Sequence, residues 1–230
     1  MNLSTLMTFP DGTIGAYERK GREPDAPVVL VLQEIFGVND NIRRTVDRLA
    51  EQGYHAVAPD LFWRQRPGAD LNPDLPESRV EATALMDGYV RDGERNMDDL
   101  QRILRKLRAE HRKVAVVGYC LGGRMSLLCW LHGNVDAAVV YYGVNMVPAL
   151  AKASFPTGPL LMHLGHSDPL NPPEVQQQVV QFLKDARSAQ VYIHVGVGHA
   201  FARLGASSYV EAAAVTADRR TLDFLKEHLG

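Results

Sequence analysis

Three side chains in this 230-residue sequence have types and settings suited to nucleophilic catalysis, in the chain order thiol, carboxylate, imidazole. The thiol is Cys120, in Gly118-Tyr119-Cys120-Leu121-Gly122-Gly123, which follows the apolar run Val114-Ala115-Val116-Val117 and precedes an apolar stretch containing Leu127, Leu128 and Trp130. A tight glycine-bounded turn between strand and helix lifts a nucleophile into a cleft, with Cys here where Ser is commoner. The helix N-terminus that follows favours a thiolate and offers N–H groups to an oxyanion, Leu121 N–H being one such donor. Asp168 lies in Gly165-His166-Ser167-Asp168-Pro169 and His199 in Gly196-Val197-Gly198-His199-Ala200-Phe201, each just past an apolar run. His199 is then placed to take a proton from Cys120 or from water, while Asp168 fixes its tautomer and favours the imidazolium. Singly, each has a bland reading: a buried cysteine in a turn, a cap before Pro169, a polar turn residue. Their order and their common place beyond strand ends favour catalysis over those readings.

Glu34 is harder to explain structurally. It ends the run Leu30-Val31-Leu32-Gln33-Glu34-Ile35-Phe36-Gly37, where a second oxyanion donor, the Ile35 N–H, is expected. A glutamate in that apolar setting is costly to bury unless it is paired with a cation, hydrogen-bonded or partly protonated. The alternative is an exposed carboxylate at a strand end. His163 and His166 compete with His199 for the base, but His163 falls inside a strand and His166 precedes the acid. Cys129 reads as a small core residue.

The elements that must position these groups alternate. Met7-Thr8-Phe9-Pro10 and Thr13 to Lys20 flank Asp11-Gly12, which predicts an antiparallel hairpin at the N-terminus. Apolar runs at 28–33, 55–59, 114–119, 137–142, 159–164 and 191–195 read as strands buried on both faces. Helical spacing is clearest over 41–52, 93–110, 174–186 and 209–229. This is an α/β pattern: a mostly parallel central sheet with helices on both faces, in one domain spanning 1–230. In such sheets ligands sit beyond the carboxyl ends of the strands, where Cys120, Asp168 and His199 fall. With the order nucleophile, acid, histidine, the pattern resembles the α/β-hydrolase fold. The irregular stretch 64–76 is a candidate pocket rim.

A net charge of −2, from 25 basic and 27 acidic residues spread along the chain, offers no field for a polyanion, so nucleic acid is not an expected partner. No run approaches the roughly 20 apolar residues of a membrane span, and no leader pattern opens the sequence, so a cytoplasmic protein without membrane association is expected. A monomer is the favoured state. The two cysteines, nine positions apart on one strand-helix unit, are not expected to bridge.

Gln33-Glu34-Ile35-Phe36-Gly37-Val38-Asn39, Gly118 to Gly123, Tyr141-Tyr142-Gly143-Val144 and Gly198-His199-Ala200-Phe201-Ala202-Arg203 closely resemble the dienelactone hydrolases, also called carboxymethylenebutenolidases. The likeness runs over nearly the whole chain. It implies a Cys120-His199-Asp168 triad, with Glu34 holding the resting thiol and accepting its proton when substrate arrives. It implies hydrolysis of a small lactone bearing a carboxylate through a thioester, with Ile35 and Leu121 N–H as oxyanion donors. It implies no metal and no organic cofactor. Arg79 and Arg203 match the pair that grips the substrate carboxylate, a task suited to a bidentate guanidinium, and Tyr142 and Phe36 of the matching motifs complete the expected substrate contacts. Ala200 departs from the family's usual Ser, and Thr83 and Met86 stand where aromatic residues are expected. Those departures leave room for a broader esterase or thioesterase with the same triad. A third reading is non-catalytic: a redox thiol, or Cys120, His199, Asp168 and Glu34 around a metal.

Overall fold

The computed structural model describes residues 3–156 and 158–230. It divides into two compact units, Met1–Val114 and Ala115–Gly230. In the first, β1 (Ser4–Phe9) and β2 (Gly12–Arg19) form the expected hairpin, with Phe9 opposite Gly12. β2 then runs antiparallel to β4 (His55–Pro59), and β4 parallel to β3 (Val28–Leu32), in the order β1-β2-β4-β3. β3 is buried at every residue, which is why its sequence shows no alternation. Helix α1 (Asp40–Glu51) packs on β2, β3 and β4. Its first turn is capped by Asn39, whose side chain accepts from Ile42 N at 3.3 Å.

Two helices complete this unit, α2 (Pro76–Arg91) and α3 (Gly93–Glu110), separated by Asp92 alone. α3 matches its expected span. α2 was not anticipated, and its opening Pro76 closes the stretch expected to be irregular. Its buried residues Ser78, Ala82, Leu85 and Tyr89 keep helical spacing, but one is polar and one small, while apolar Val80 is 74% exposed. The hydrophobic stripe is therefore hidden in the sequence. The stretch 64–76 is tied down by Asp60, which accepts from Gly68 N at 2.7 Å, and by a bridge between Gly37 and Asp70.

The second unit holds four parallel strands in chain order: β5 (Val114–Tyr119), β6 (Ala137–Tyr141), β7 (Leu160–Gly165) and β8 (Ala189–His194). β5, β6 and β7 are buried throughout, so both of their faces are covered. α4 (Leu121–Leu131) packs on β6, and α7 (Glu211–Leu229) on β6 and β7. Two further helices are α5 (Val147–Leu150) and α6 (Pro173–Leu183). α6 ends three residues short of the expected 186 and α7 opens at 211 rather than 209. β8 begins at Ala189 rather than 191, and Val195 falls outside it, 84% exposed. Among the described residues no helix is long and apolar enough to cross a membrane.

Candidate active site

Cys120 stands between β5 and α4, with φ 53° and ψ −111°. That backbone is unfavourable for any residue with a Cβ and persists only where the surroundings enforce it. The enforcement is visible in the glycines beside it. A Cβ on Gly118 would lie 2.0 Å from the Gly122 carbonyl oxygen, and one on Gly123 would lie 2.8 Å from Gly143 Cα. The turn is as tight as the sequence implied, and it is pinned on the sheet side by Cys120 N donating to Tyr141 O at 3.0 Å. Leu121 opens α4, so its N–H is among the first-turn donors that no carbonyl of the helix can reach. Cys129, farther along α4, is fully buried, and burial pushes its thiol up to about 12. Neither cysteine is in a disulfide.

His199 Nδ1 meets Asp168 Oδ2 at 2.8 Å. Asp168 is buried at the end of the turn after β7, where its Oδ1 accepts from Leu170 N at 2.8 Å and its Oδ2 from Asn171 Nδ2 at 3.0 Å. Burial would raise its pKa, but the bonds to His199, Asn171 and Leu170 overcome that and hold it below the ordinary carboxylate value. For His199, burial works against the charged ring. The bond to Asp168 and the interaction with Cys120 outweigh it and raise the pKa to about 10. His199 Nε2 itself is buried and makes no hydrogen bond of ordinary geometry. A buried ring nitrogen so placed costs about 1–3 kcal/mol until a partner reaches it, and the Cys120 sulfur, already acting on the ring, is the group at hand.

The other expected site residues are placed as follows. Tyr142 is fully buried at φ 37°, with its ring edge-on to His199 at 5.1 Å and to Phe201 at 5.6 Å. Arg203 is 5% exposed, in the turns after His199, where its N–H donates to Ala200 O at 3.0 Å. Ala200, at φ 60°, is a second strained position, next to His199. Glu34, Ile35, Phe36 and Arg79 belong to the first unit. Glu34 is 0% exposed, which removes the reading of it as a solvated strand end. Phe36 is buried, and the guanidinium of exposed Arg79 sits over its ring at 5.9 Å. No group of three or more His, Cys, Asp or Glu side chains among the described residues is arranged to hold a metal ion.

Sequence reasoning missed two groups of buried polar side chains. Asn171 and Gln176 support the acid loop, and nothing in Asp168-Pro169-Leu170-Asn171-Pro172-Pro173 marks Asn171 as more than a turn residue. His163, expected inside a strand and found there, belongs to a buried cluster with His194 at 3.1 Å and Thr221 at 3.3 Å, and Thr221 in turn bonds Tyr141 at 2.7 Å. Desolvation and the neighbouring His194 and Arg220 push its pKa well down, so it stays neutral.

A mostly parallel α/β assembly with a nucleophile-type turn after β5 is of the α/β-hydrolase class. The dienelactone hydrolase family model matches residues 14–229, and the chain belongs to that family. It is a hydrolase acting on carboxylic ester bonds. Among its relatives, a carboxymethylenebutenolidase of Pseudomonas putida is 38% identical over 224 residues, 96% of this chain and 94% of that one. Carboxymethylenebutenolidase 1 of Cupriavidus pinatubonensis is 34% identical, over 93% of this chain and 92% of its own length. A solved structure from Klebsiella pneumoniae, assigned as a dienelactone hydrolase, superposes with a TM-score of 0.82 at 26% identity, covering 98% of each chain.

Proposed function

We propose that this enzyme opens a small carboxylate-bearing lactone through Cys120, His199 and Asp168. The observation that carries the reading is the 2.8 Å bond from Asp168 to the imidazole of His199, whose free edge is acted on by a cysteine held in a strained turn at a helix N-terminus. The thiol proton passes to Glu34, and the thiolate, beside the His199 imidazolium, attacks the lactone carbonyl carbon. The oxyanion so formed is held by the N–H groups of Leu121 and Ile35. Collapse breaks the ring C–O bond, the leaving oxygen takes the proton from His199, and a thioester on Cys120 remains. Water, giving a proton to His199, attacks the thioester; the C–S bond breaks and the sulfur regains its proton. Asp168 stays ionised throughout and stabilises the imidazolium. On the family's pattern Glu34 holds the thiol between turnovers and is the first acceptor of its proton, and Arg79 and Arg203 grip the substrate carboxylate. The names of the relatives, carboxymethylenebutenolidases, support this substrate class.

The test is Cys120→Ala. Dienelactone hydrolysis should fall by at least about a thousandfold, as loss of a nucleophile does elsewhere, and the mass increment of an acyl group, trapped on the wild-type chain by rapid acid quench, should be absent. Undiminished turnover ends the proposal. A broader esterase remains a second reading, favoured by Thr83, which stands where an aromatic residue is expected, is exposed and turns its hydroxyl back to Arg79 O at 2.8 Å. Comparing kcat/KM for an anionic lactone and a neutral p-nitrophenyl ester separates the two.

A further inference from the structure

The turn that carries Asp168 is held by two buried carboxamides that no step above uses. Asn171 is 0% exposed, and its Nδ2 donates both to Asp168 Oδ2 and to Gly143 O, each at 3.0 Å. The oxygen it reaches on Asp168 is the one bonded to His199. Gln176, on α6 and also buried, donates from Nε2 to Asn171 O at 2.7 Å and to Gly165 O and His166 O at 3.1 Å each. The far end of the Asn171 amide, Oδ1, is buried without a hydrogen bond. The two acceptor oxygens that face Nδ2 fix the orientation of the amide. Flipping it would satisfy neither partner and would set an oxygen against a carboxylate and a carbonyl, so the nitrogen must face Asp168.

Gly143 gives the second contact its meaning. It follows Tyr142, whose ring lies against His199, and its Cα is close enough to Gly123 that a Cβ there would meet it at 2.8 Å. One side-chain amide thus ties the acid loop to the segment that both lines the base and backs the nucleophile's turn. We propose that Asn171 is a positioning residue for the hydrolysis: it locks the Asp168 carboxylate in the rotamer that presents Oδ2 to His199 and keeps that carboxylate ionised, with Gln176 clamping the loop beneath it. The role rests on the triad reading given above, and it fits the lowered pKa of Asp168, in which burial is opposed by His199 and by Asn171.

The first test needs no variant. In wild-type protein, the Asn171 side-chain amide protons should exchange slowly by NMR and should shift as Asp168 is protonated at acid pH; exchange at the rate of a solvated amide overturns the proposal. Asn171→Leu keeps the branched shape of the side chain and removes both donors. It should lower kcat on a dienelactone by about tenfold or more with KM changed less than threefold, move the acid limb of the pH profile to higher pH, and displace the downfield His199 Nδ1 proton resonance. A folded variant with unchanged kcat, pH profile and resonance overturns it. If Asn171→Leu does not fold, Asn171→Asp, which is isosteric and sets an acceptor against Asp168, should show the same upward shift of the acid limb, and an unshifted limb overturns the role. Turnover surviving in Cys120→Ala overturns the triad reading and this role together, whereas an inactive Cys120→Ala beside an unaltered Asn171→Leu overturns this role alone.

Discussion

The pairing of His199 with Asp168 makes the enzyme's stability depend on pH in a direction that can be worked out. The folded pKa of His199 lies above its ordinary value of 6.5, at about 10. The ring's contribution is therefore complete below pH 6.5 and disappears as the pH rises through about 10. Asp168 acts in the opposite sense: its folded pKa lies below the ordinary 3.8, so its contribution is present above that value and is lost as acid carries the pH through the lowered one. The difference in melting temperature between wild type and His199→Gln should be greatest between these limits, near pH 6, and should shrink towards pH 10. A difference that widens with alkali would contradict the assignment. At this scale the sequence was informative about Cys120, Asp168 and His199, because each follows an apolar run and their types are complementary. It was silent about Asn171 and Gln176, because a carboxamide in a proline-rich turn or on a polar helix has the same composition whether it meets water or a buried carboxylate.

Among the elements, the β5 turn and α4 form the least tolerant piece. Gly118→Ala would drive a methyl group into the Gly122 carbonyl, backbone against backbone, where no rotamer can give way. Overpacking of that kind costs about 1–3 kcal/mol or more, and the midpoint of urea denaturation should fall accordingly, with activity lost. The strands were legible because continuous burial leaves a continuous apolar run, as in β5 and β6. α3 was legible for the complementary reason: Leu100, Ile103, Leu104 and Leu107 are both apolar and buried. α2 escaped because its covered face includes Ser78 and Ala82 and its uncovered face includes Val80 and Val90, so composition and burial disagree. α5, only Val147–Leu150, is too short to carry a period.

For the molecule as a whole, we propose that residues 1–230 behave as one cooperative domain and as a monomer. Calorimetry should then show a single transition whose van't Hoff and calorimetric enthalpies agree, at a temperature independent of protein concentration; two resolved transitions, or a midpoint that climbs with concentration, would refute the one or the other. The left-handed backbone at position 120 bears on the same measurement. Residues held in such conformations cost on the order of 1–3 kcal/mol, and glycine, having no Cβ, adopts it without that steric strain. Cys120→Gly should therefore melt above the wild type while hydrolysing nothing. A heat-challenge selection applied to random variants of this chain, with no demand for turnover, would favour clones that have discarded the sulfur.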